Sequence, residues 1–306
     1  MTRLQWSDLP DDLREHICGC LGDRVISSTP LTGGFSPGMT AVLTCAGGDE
    51  FFVKAVSSRQ NSYSPVLYRQ EAYLNGLLPS DRPAPRFLWS TDHADWAVLA
   101  FERISGKCPE TPWKQEELQA VLAEVRRLPR AAGRAAQLPA VRELFEEELV
   151  GWRELAGRAA APSLHPWIMK HLAELAELEQ QWEQVVDGPW LVHGDLRSDN
   201  VLIVDGAVIL VDWAYACRGS KLFDVVLLLL SAVAQGGCAP RDVLRDTRYV
   251  DPTEREAALI LLATFTGWFT WLSTKPPVPG LPTLRTFQTQ MATAGRRCLE
   301  LGASWS

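Results

Sequence analysis

The spacing of apolar residues changes character about a third of the way along the chain. Before that point the apolar runs are short, rich in β-branched and aromatic residues, and separated by tight turns. Thr40–Cys45, the turn Gly47-Gly48-Asp49 and Phe51–Ser57 read as strand, turn, strand. Pro83–Trp89 and Trp96–Ile104 extend the pattern to a small sheet. Two helical patterns accompany it: Leu9–Leu21, after an Asp-Leu-Pro-Asp start, and Tyr68–Leu78, which ends before Pro79. After Gly106 the period becomes helical. Lys114–Leu128, Val141–Leu155 and Leu164–Val186 are predicted helices, separated by Pro129, Pro139 and Pro162. A hairpin interrupts them, with Val201–Val204 and Val208–Val211 flanking Asp205-Gly206-Ala207. Helices resume over Phe223–Ala234, Asp242–Arg248 (short), Thr253–Ser273 and Leu284–Leu301. The expected fold class is α+β with two lobes. Residues 1–104 form a small antiparallel-sheet lobe, and residues 105–306 a larger, mainly helical one. Nucleotides favour the clefts between such lobes.

Composition narrows this picture without redirecting it. With 306 residues and 46% hydrophobic content, the chain can bury one large core or two lobes. A net charge of −7 and a pI near 5.4 argue against general nucleic-acid binding. The seven cysteines lie in no paired metal-ligand spacing, and scattered thiols suit a reducing cytoplasm. The N-terminus has no apolar signal segment. The apolar stretches Val225–Ala234 and Leu259–Leu272 fall short of the roughly 18 to 20 residues that span a bilayer, so they read as buried helices. A cytoplasmic protein without a membrane or nucleic-acid partner is expected, as a monomer or homodimer.

The densest chemistry lies in Leu191-Val-His-Gly-Asp-Leu-Arg-Ser-Asp-Asn-Val-Leu202 and in Val211-Asp212-Trp213. Asp195, Asn200 and Asp212 suit phosphoryl transfer. One carboxylate takes the proton of an attacking hydroxyl, while an amide oxygen and a second carboxylate hold magnesium against nucleotide phosphates. A hairpin returns its two ends to one place, which would bring Asn200 and Asp212 together. The bland alternative is a turn, a helix cap and a surface ion pair. Lys54 sits mid-strand, where a lysine usually faces solvent. Glu71, on the next helix, is a natural partner for a lysine that holds phosphates, with a solvated helix face as the other reading. Most of the tryptophans of the helical region (Trp113, Trp152, Trp167, Trp182, Trp268, Trp271) read as core. Glu143 and Glu146–Glu148 read as a solvated face, with attraction of an amine as the alternative.

These residues carry a family likeness. Between about residues 30 and 230 the chain resembles the aminoglycoside phosphotransferase and choline kinase family, which shares the protein-kinase-like fold. The strongest matches are His193-Gly194-Asp195, Asn200 and Asp212-Trp213; Leu31-Thr-Gly-Gly-Phe-Ser, Lys54, Glu71 and Asp224 support them. The resemblance implies that Asp195 serves as catalytic base or positions the acceptor hydroxyl, and that Asn200 and Asp212 bind Mg2+. It implies that Lys54, oriented by Glu71, contacts the phosphates of ATP or GTP. The glycine-rich loop with Gly33, Gly34, Phe35 and Ser36 would cover those phosphates, and the segment holding Phe101 and Arg103 would meet the nucleobase. His193 and Asp224 would brace the catalytic loop. Arg197 either stabilises the transferring phosphate or pairs with Asp199 or a substrate acid. The chain departs from the family pattern at Pro37-Gly38, where an Asn usually follows the loop serine, and at Ala214, where an acid is common. The implied activity is transfer of a γ-phosphoryl to a small-molecule hydroxyl. An antibiotic is the leading acceptor, a choline-like or amino-acid alcohol the alternative, and a non-catalytic nucleotide-binding module the last.

Overall fold

The computed structural model describes residues 4–31, 34–157, 164–303 and 305. It opens with helix α1 (Asp11–Leu21), strands β1 (Val25–Pro30), β2 (Met39–Cys45) and β3 (Glu50–Ser57), and helix α2 (Ser64–Leu77). Strands β4 (Phe87–His93) and β5 (Trp96–Glu102) follow. Next come helices α3 (Gln115–Arg127), α4 (Val141–Phe145), α5 (Gly151–Ala156), α6 (Pro166–Glu179) and α7 (Trp182–Val185). Four short strands lie beyond them: β6 (Trp190–Val192), β7 (Val201–Val204), β8 (Ala207–Leu210) and β9 (Cys217–Gly219). Helices α8 (Leu222–Ala234), α9 (Arg255–Ser273) and α10 (Leu284–Gly302) complete the order. The fold is mixed α+β.

The chain divides into two compact units. The first comprises Met1–Lys107, Leu202–Ala214 and Val278–Pro282; the second comprises Cys108–Val201, Tyr215–Pro277 and Thr283–Ser306.

In the first unit a five-stranded antiparallel sheet runs in the order β1-β2-β3-β5-β4. Alternation along the strands gives it two apolar faces. On one, Met39, Ala41, Leu43, Val53, Ala55, Val98 and Ala100 pack with Leu13 and Ile17 of α1. On the other, Val56, Ala97, Leu99 and Phe101 pack with Tyr68 of α2. The β7–β8 hairpin forms as its sequence predicts, with Asp205 and Gly206 at φ 48° and 84°, as a type I′ turn needs. It is held to the rest of this unit by backbone bonds: Ile203 and Lys107 exchange N–H···O contacts of 2.8 and 3.1 Å, and the Leu210 amide donates to Pro83.

The second unit is mainly helical, with β6 and β9 paired antiparallel. Here several expected elements are redrawn. The helix expected over Val141–Leu155 is broken into α4 and α5, because Val150 leaves helical geometry at φ −126°, ψ 20°. Leu164–Val186 is divided into α6 and α7 by a turn at Gln180 and Gln181, both of which keep right-handed helical dihedrals. Asp242–Arg248 forms turns after a single 3-10 turn at Pro240–Asp242. In the first unit β1 had no expected counterpart, and β4 begins four residues later than the Pro83–Trp89 run. Around α9 the continuous helical stretch Pro252–Ser273 spans 22 residues, so it is long and apolar enough to cross a membrane. Most of its apolar surface is nevertheless covered by protein, including Ile260, Leu261, Leu262 and Phe265.

Candidate active site

The first unit carries an ion cluster in which Lys54 and Glu71 are buried and Asp212 is partly exposed. Lys54 lies on β3 between Val53 and Ala55, which face α1, so alternation turns its side chain to the face covered by α2. It is 6% exposed, contrary to the solvent-facing position usual for a strand lysine. Its ammonium donates to both carboxylate oxygens of Glu71, at 2.8 and 2.9 Å, and to Asp212 Oδ1 at 2.9 Å. The rings of Phe52, Tyr68 and Phe101 stand 5.7 to 6.0 Å from Nζ. Burial works against the charged ammonium, but Asp212 and Glu71 outweigh it and hold Lys54 above the ordinary lysine range. Asp212 sits at φ 67°, a left-handed conformation uncommon for a residue with a side chain. Two contacts fix the segment around it: Trp213 Nε1 donates to the Leu210 carbonyl at 2.9 Å, and Gln70 Nε2 of α2 donates to the Ala214 carbonyl at 2.9 Å.

The expected nucleotide residues of this unit fall into different surroundings. Gly34, Phe35 and Ser36 follow β1 in an irregular loop, and Gly33 lies outside the described residues. Ser36 Oγ is 2.7 Å from the Tyr68 hydroxyl, a contact with no sequence signal. Phe101 is packed against Phe87 and Phe52. Arg103 donates from Nη1 to the Ile104 carbonyl, and its buried Nε has no hydrogen-bond partner.

The second unit carries the catalytic-loop sequence between β6 and β7. Asp224, fully buried at the start of α8, accepts the backbone amides of His193 at 2.6 Å and Gly194 at 2.9 Å. Burial raises its carboxyl above the usual range, against the pull of His193 and the two amides. Gly194 is at φ 82°, and a Cβ there would meet the Tyr215 carbonyl at 2.4 Å, so the turn requires glycine. The Asp195 amide donates to His193 Nδ1 at 3.3 Å. Buried Asn200 donates from Nδ2 to the Asp195 carbonyl at 2.7 Å and to Asp195 Oδ2 at 3.1 Å. Its amide nitrogen thus orients Asp195, which leaves the amide oxygen as the end suited to a cation. Arg197 donates from Nε to Asp199 at 2.7 Å and lies 3.4 Å from Asp195 through Nη1, so it pairs with both acids. Its guanidinium also stands 5.5 Å from the Phe287 ring. A further support was not legible in the sequence: Trp113 Nε1 donates to Gln235 Oε1, and Gln235 Nε2 donates to Ser198 Oγ. No pattern within the chain links residues 113, 198 and 235.

The donor set bears on metal binding. Among the described residues no group of three or more His, Cys, Asp or Glu side chains is arranged to hold a metal. The acids and the amide on offer are hard oxygen ligands. That combination fits a Mg2+ ion carried largely by nucleotide phosphates and water, and does not fit an all-protein cage.

A sequence model of the phosphotransferase enzyme family matches residues 27–260. The chain belongs to the phosphotransferase enzyme family. Solved structures of other kinases share its fold. The choline kinase of Streptococcus pneumoniae superposes with a TM-score of 0.62 at 16% identity, covering 93% of this chain and 97% of that one. An amicoumacin kinase solved with AMP-PNP, Ca2+ and Ami gives 0.56 at 14% identity, covering 93% and 94%. At these identities the likeness shows the protein-kinase-like fold. A homoserine kinase of Nitrobacter winogradskyi is 36% identical over 85 residues, 26% of this chain. The match spans only about a quarter of that relative's length. Of the six tryptophans read from the sequence as mostly core, Trp113, Trp152 and Trp182 are buried, whereas Trp167, Trp268 and Trp271 are only half-buried.

Proposed function

We propose that this phosphotransferase moves the γ-phosphoryl of ATP or GTP to a hydroxyl of a small molecule, with an antibiotic as the acceptor. The observation that carries the phosphotransfer reading is the Lys54–Glu71–Asp212 cluster, with Lys54 and Glu71 buried. A lysine tied to a helix carboxylate and to the aspartate of the Asp-Trp segment is the arrangement used to hold nucleotide phosphates. Lys54 contacts the phosphates, and Glu71 holds its ammonium in place. Ser36 and the neighbouring Gly33, Gly34 and Phe35 cover the phosphates; Phe101 and Arg103 border the nucleobase. Asn200 and Asp212 supply oxygen ligands to Mg2+. When bound, the ion neutralises charge on the phosphate oxygens.

Asp195 accepts the acceptor's hydroxyl proton. The hydroxyl oxygen forms its bond to γ-phosphorus as the bridging bond to the β-phosphate breaks, and the nucleoside diphosphate leaves with that electron pair. Asn200 fixes the Asp195 carboxylate, and Arg197 draws part of its charge. Such transfer depends on positioning and charge neutralisation more than on covalent chemistry. A cytoplasmic site suits the scattered thiols.

The antibiotic reading draws on the acidic balance of the chain, net −7, which favours cationic acceptors, and on the fold shared with an amicoumacin kinase. A second reading, an amino-acid or choline-like alcohol, is favoured by the stretch shared with homoserine kinases. One panel separates them: phosphate transfer from ATP and from GTP to aminoglycosides, other hydroxylated antibiotics, choline and homoserine. Turnover stimulated by an antibiotic supports the first reading, and turnover with the alcohols alone replaces it with the second. Nucleotide binding without transfer to any acceptor would point to a non-catalytic module. In the active assay Asp195→Asn should lower kcat by about 100-fold or more, the usual scale for a lost general base. Near-normal turnover by a folded Asp195→Asn protein would remove Asp195 from the role.

A further inference from the structure

The hydroxyl of Tyr68 has a place that the roles above leave unused. Tyr68 lies on α2 three residues before Glu71, so the two side chains share one face of the helix. Its ring packs among Val56, Ala97, Leu99 and Phe101, 5.8 Å from Lys54 Nζ. The residue is 6% exposed, and burial of a phenol hydroxyl is costly unless it is hydrogen-bonded. The partner it finds is the glycine-loop residue Ser36, at 2.7 Å. Ser36 Oγ also accepts the Gly38 amide at 3.3 Å. Gly38 in turn lies so close to β3 that a Cβ there would be 2.3 Å from the Ala55 carbonyl, one residue after Lys54. Loop, helix and strand therefore close a ring of contacts: Ser36 to Tyr68, α2 to Glu71, Glu71 to Lys54, and Ala55 back to Gly38. Burial pushes the phenol up to about 12, with the nearby Lys54 ammonium and the Ser36 hydrogen bond opposing, so the hydroxyl keeps its proton at neutral pH.

We propose that Tyr68 is a positioning residue for the nucleotide: by holding Ser36 it sets the glycine-rich loop in register with Lys54, so that both meet one triphosphate. The inference rests on the nucleotide-binding reading of this unit. A loop held in its bound geometry before the ligand arrives loses less freedom on binding, and affinity gains accordingly. Ser36 is the residue that touches phosphate; Tyr68 acts through it.

The test compares the full-length protein with Tyr68→Phe, which removes one oxygen and keeps the ring. Binding of Mg2+–AMP-PNP is measured by calorimetry without acceptor, and KM for ATP and kcat are measured with the best acceptor of the panel. Loss of one buried hydrogen bond predicts nucleotide Kd and KM raised by about three- to tenfold, with KM changing more than kcat. In a Ser36→Ala background the same Tyr68→Phe change should have no further effect, because the two hydroxyls act as one unit. Unchanged or tighter nucleotide binding by Tyr68→Phe overturns the proposal, as does an effect that persists in full without the serine hydroxyl. A lowered melting temperature with unaltered nucleotide Kd would make the bond merely structural and overturn it too. If the native protein bound no nucleotide at all, the functional reading would fall along with the latch. Native binding with an indifferent Tyr68→Phe would sink the latch alone.

Discussion

At the scale of single residues, the sequence names candidate reactive groups but not their surroundings. Asp195, Asn200 and Asp212 stand out by spacing, and Lys54 only by its odd position in an apolar strand. Which way Lys54 faces is decided by α2, which covers that side of the sheet and brings Glu71 to 2.8 Å. Glu179 carries the lesson further, because nothing in its local sequence marks it. It is fully buried at the end of α6, where it accepts the amides of Trp152 and Arg153 at 2.8 and 3.0 Å. Burial pushes its carboxyl up to about 6 from 4.5, against the pull of those two amides and of Arg153. The folded protein therefore holds this proton more tightly than the unfolded chain does. Stability contributed by Glu179 grows as pH falls through about 6 towards 4.5, and is lost as pH rises through that window. In urea titrations, the native protein should gain about 1 kcal/mol relative to Glu179→Gln between pH 7 and pH 5. A difference between the two proteins that does not change with pH would rule this out.

At the scale of elements, local periodicity is a good guide where a segment's own face decides its structure. The β2–β3 pair, α2, α3, α8 and the β7–β8 hairpin all follow their patterns. It fails where a distant backbone intrudes. The run 141–155 has helical spacing throughout, yet α5 starts afresh at Gly151 because its first amides are satisfied by Glu179, 27 residues further along. The same glycine lets α5 meet α9 backbone to backbone. A Cβ at Gly151 would lie 2.1 Å from the Gly267 carbonyl and 2.5 Å from the Trp268 amide. Gly151→Ala should thus cost about 1–3 kcal/mol or more through overpacking, read as a lowered urea midpoint with nucleotide affinity retained. A variant as stable as the parent would show that the helices can part without penalty.

At the scale of the whole molecule, the first compact unit is assembled from three separate stretches of chain. The hairpin joins it because Ile203 pairs with Lys107 and Leu210 with Pro83; Val278–Pro282 joins it from between α9 and α10. Asp212 thereby enters the unit that holds Lys54, although 158 residues separate them in sequence. If nucleotide binds there with Mg2+, mass action requires a rise in stability, about 2.7 kcal/mol at a nucleotide concentration 100 times Kd. A thermal-shift titration should show that rise with ATP and Mg2+, and Asp212→Ala should lose the Mg2+-dependent part. An equal metal-dependent shift in Asp212→Ala would remove Asp212 from the metal site.

By itself, the sequence determined the α+β class, most element types and the family, since these rest on local periodicity and on a compact motif whose residues lie within a few turns of one another. It also named the candidate residues for phosphate and metal chemistry. Only the tertiary structure decided which of them share an environment. The Lys54–Glu71–Asp212 cluster, the Tyr68–Ser36 contact and the Glu179 cap on α5 each join groups far apart in the chain. Such contacts depend on which faces pack together, and the burial that perturbs a carboxylate or an ammonium exists only once that packing has formed.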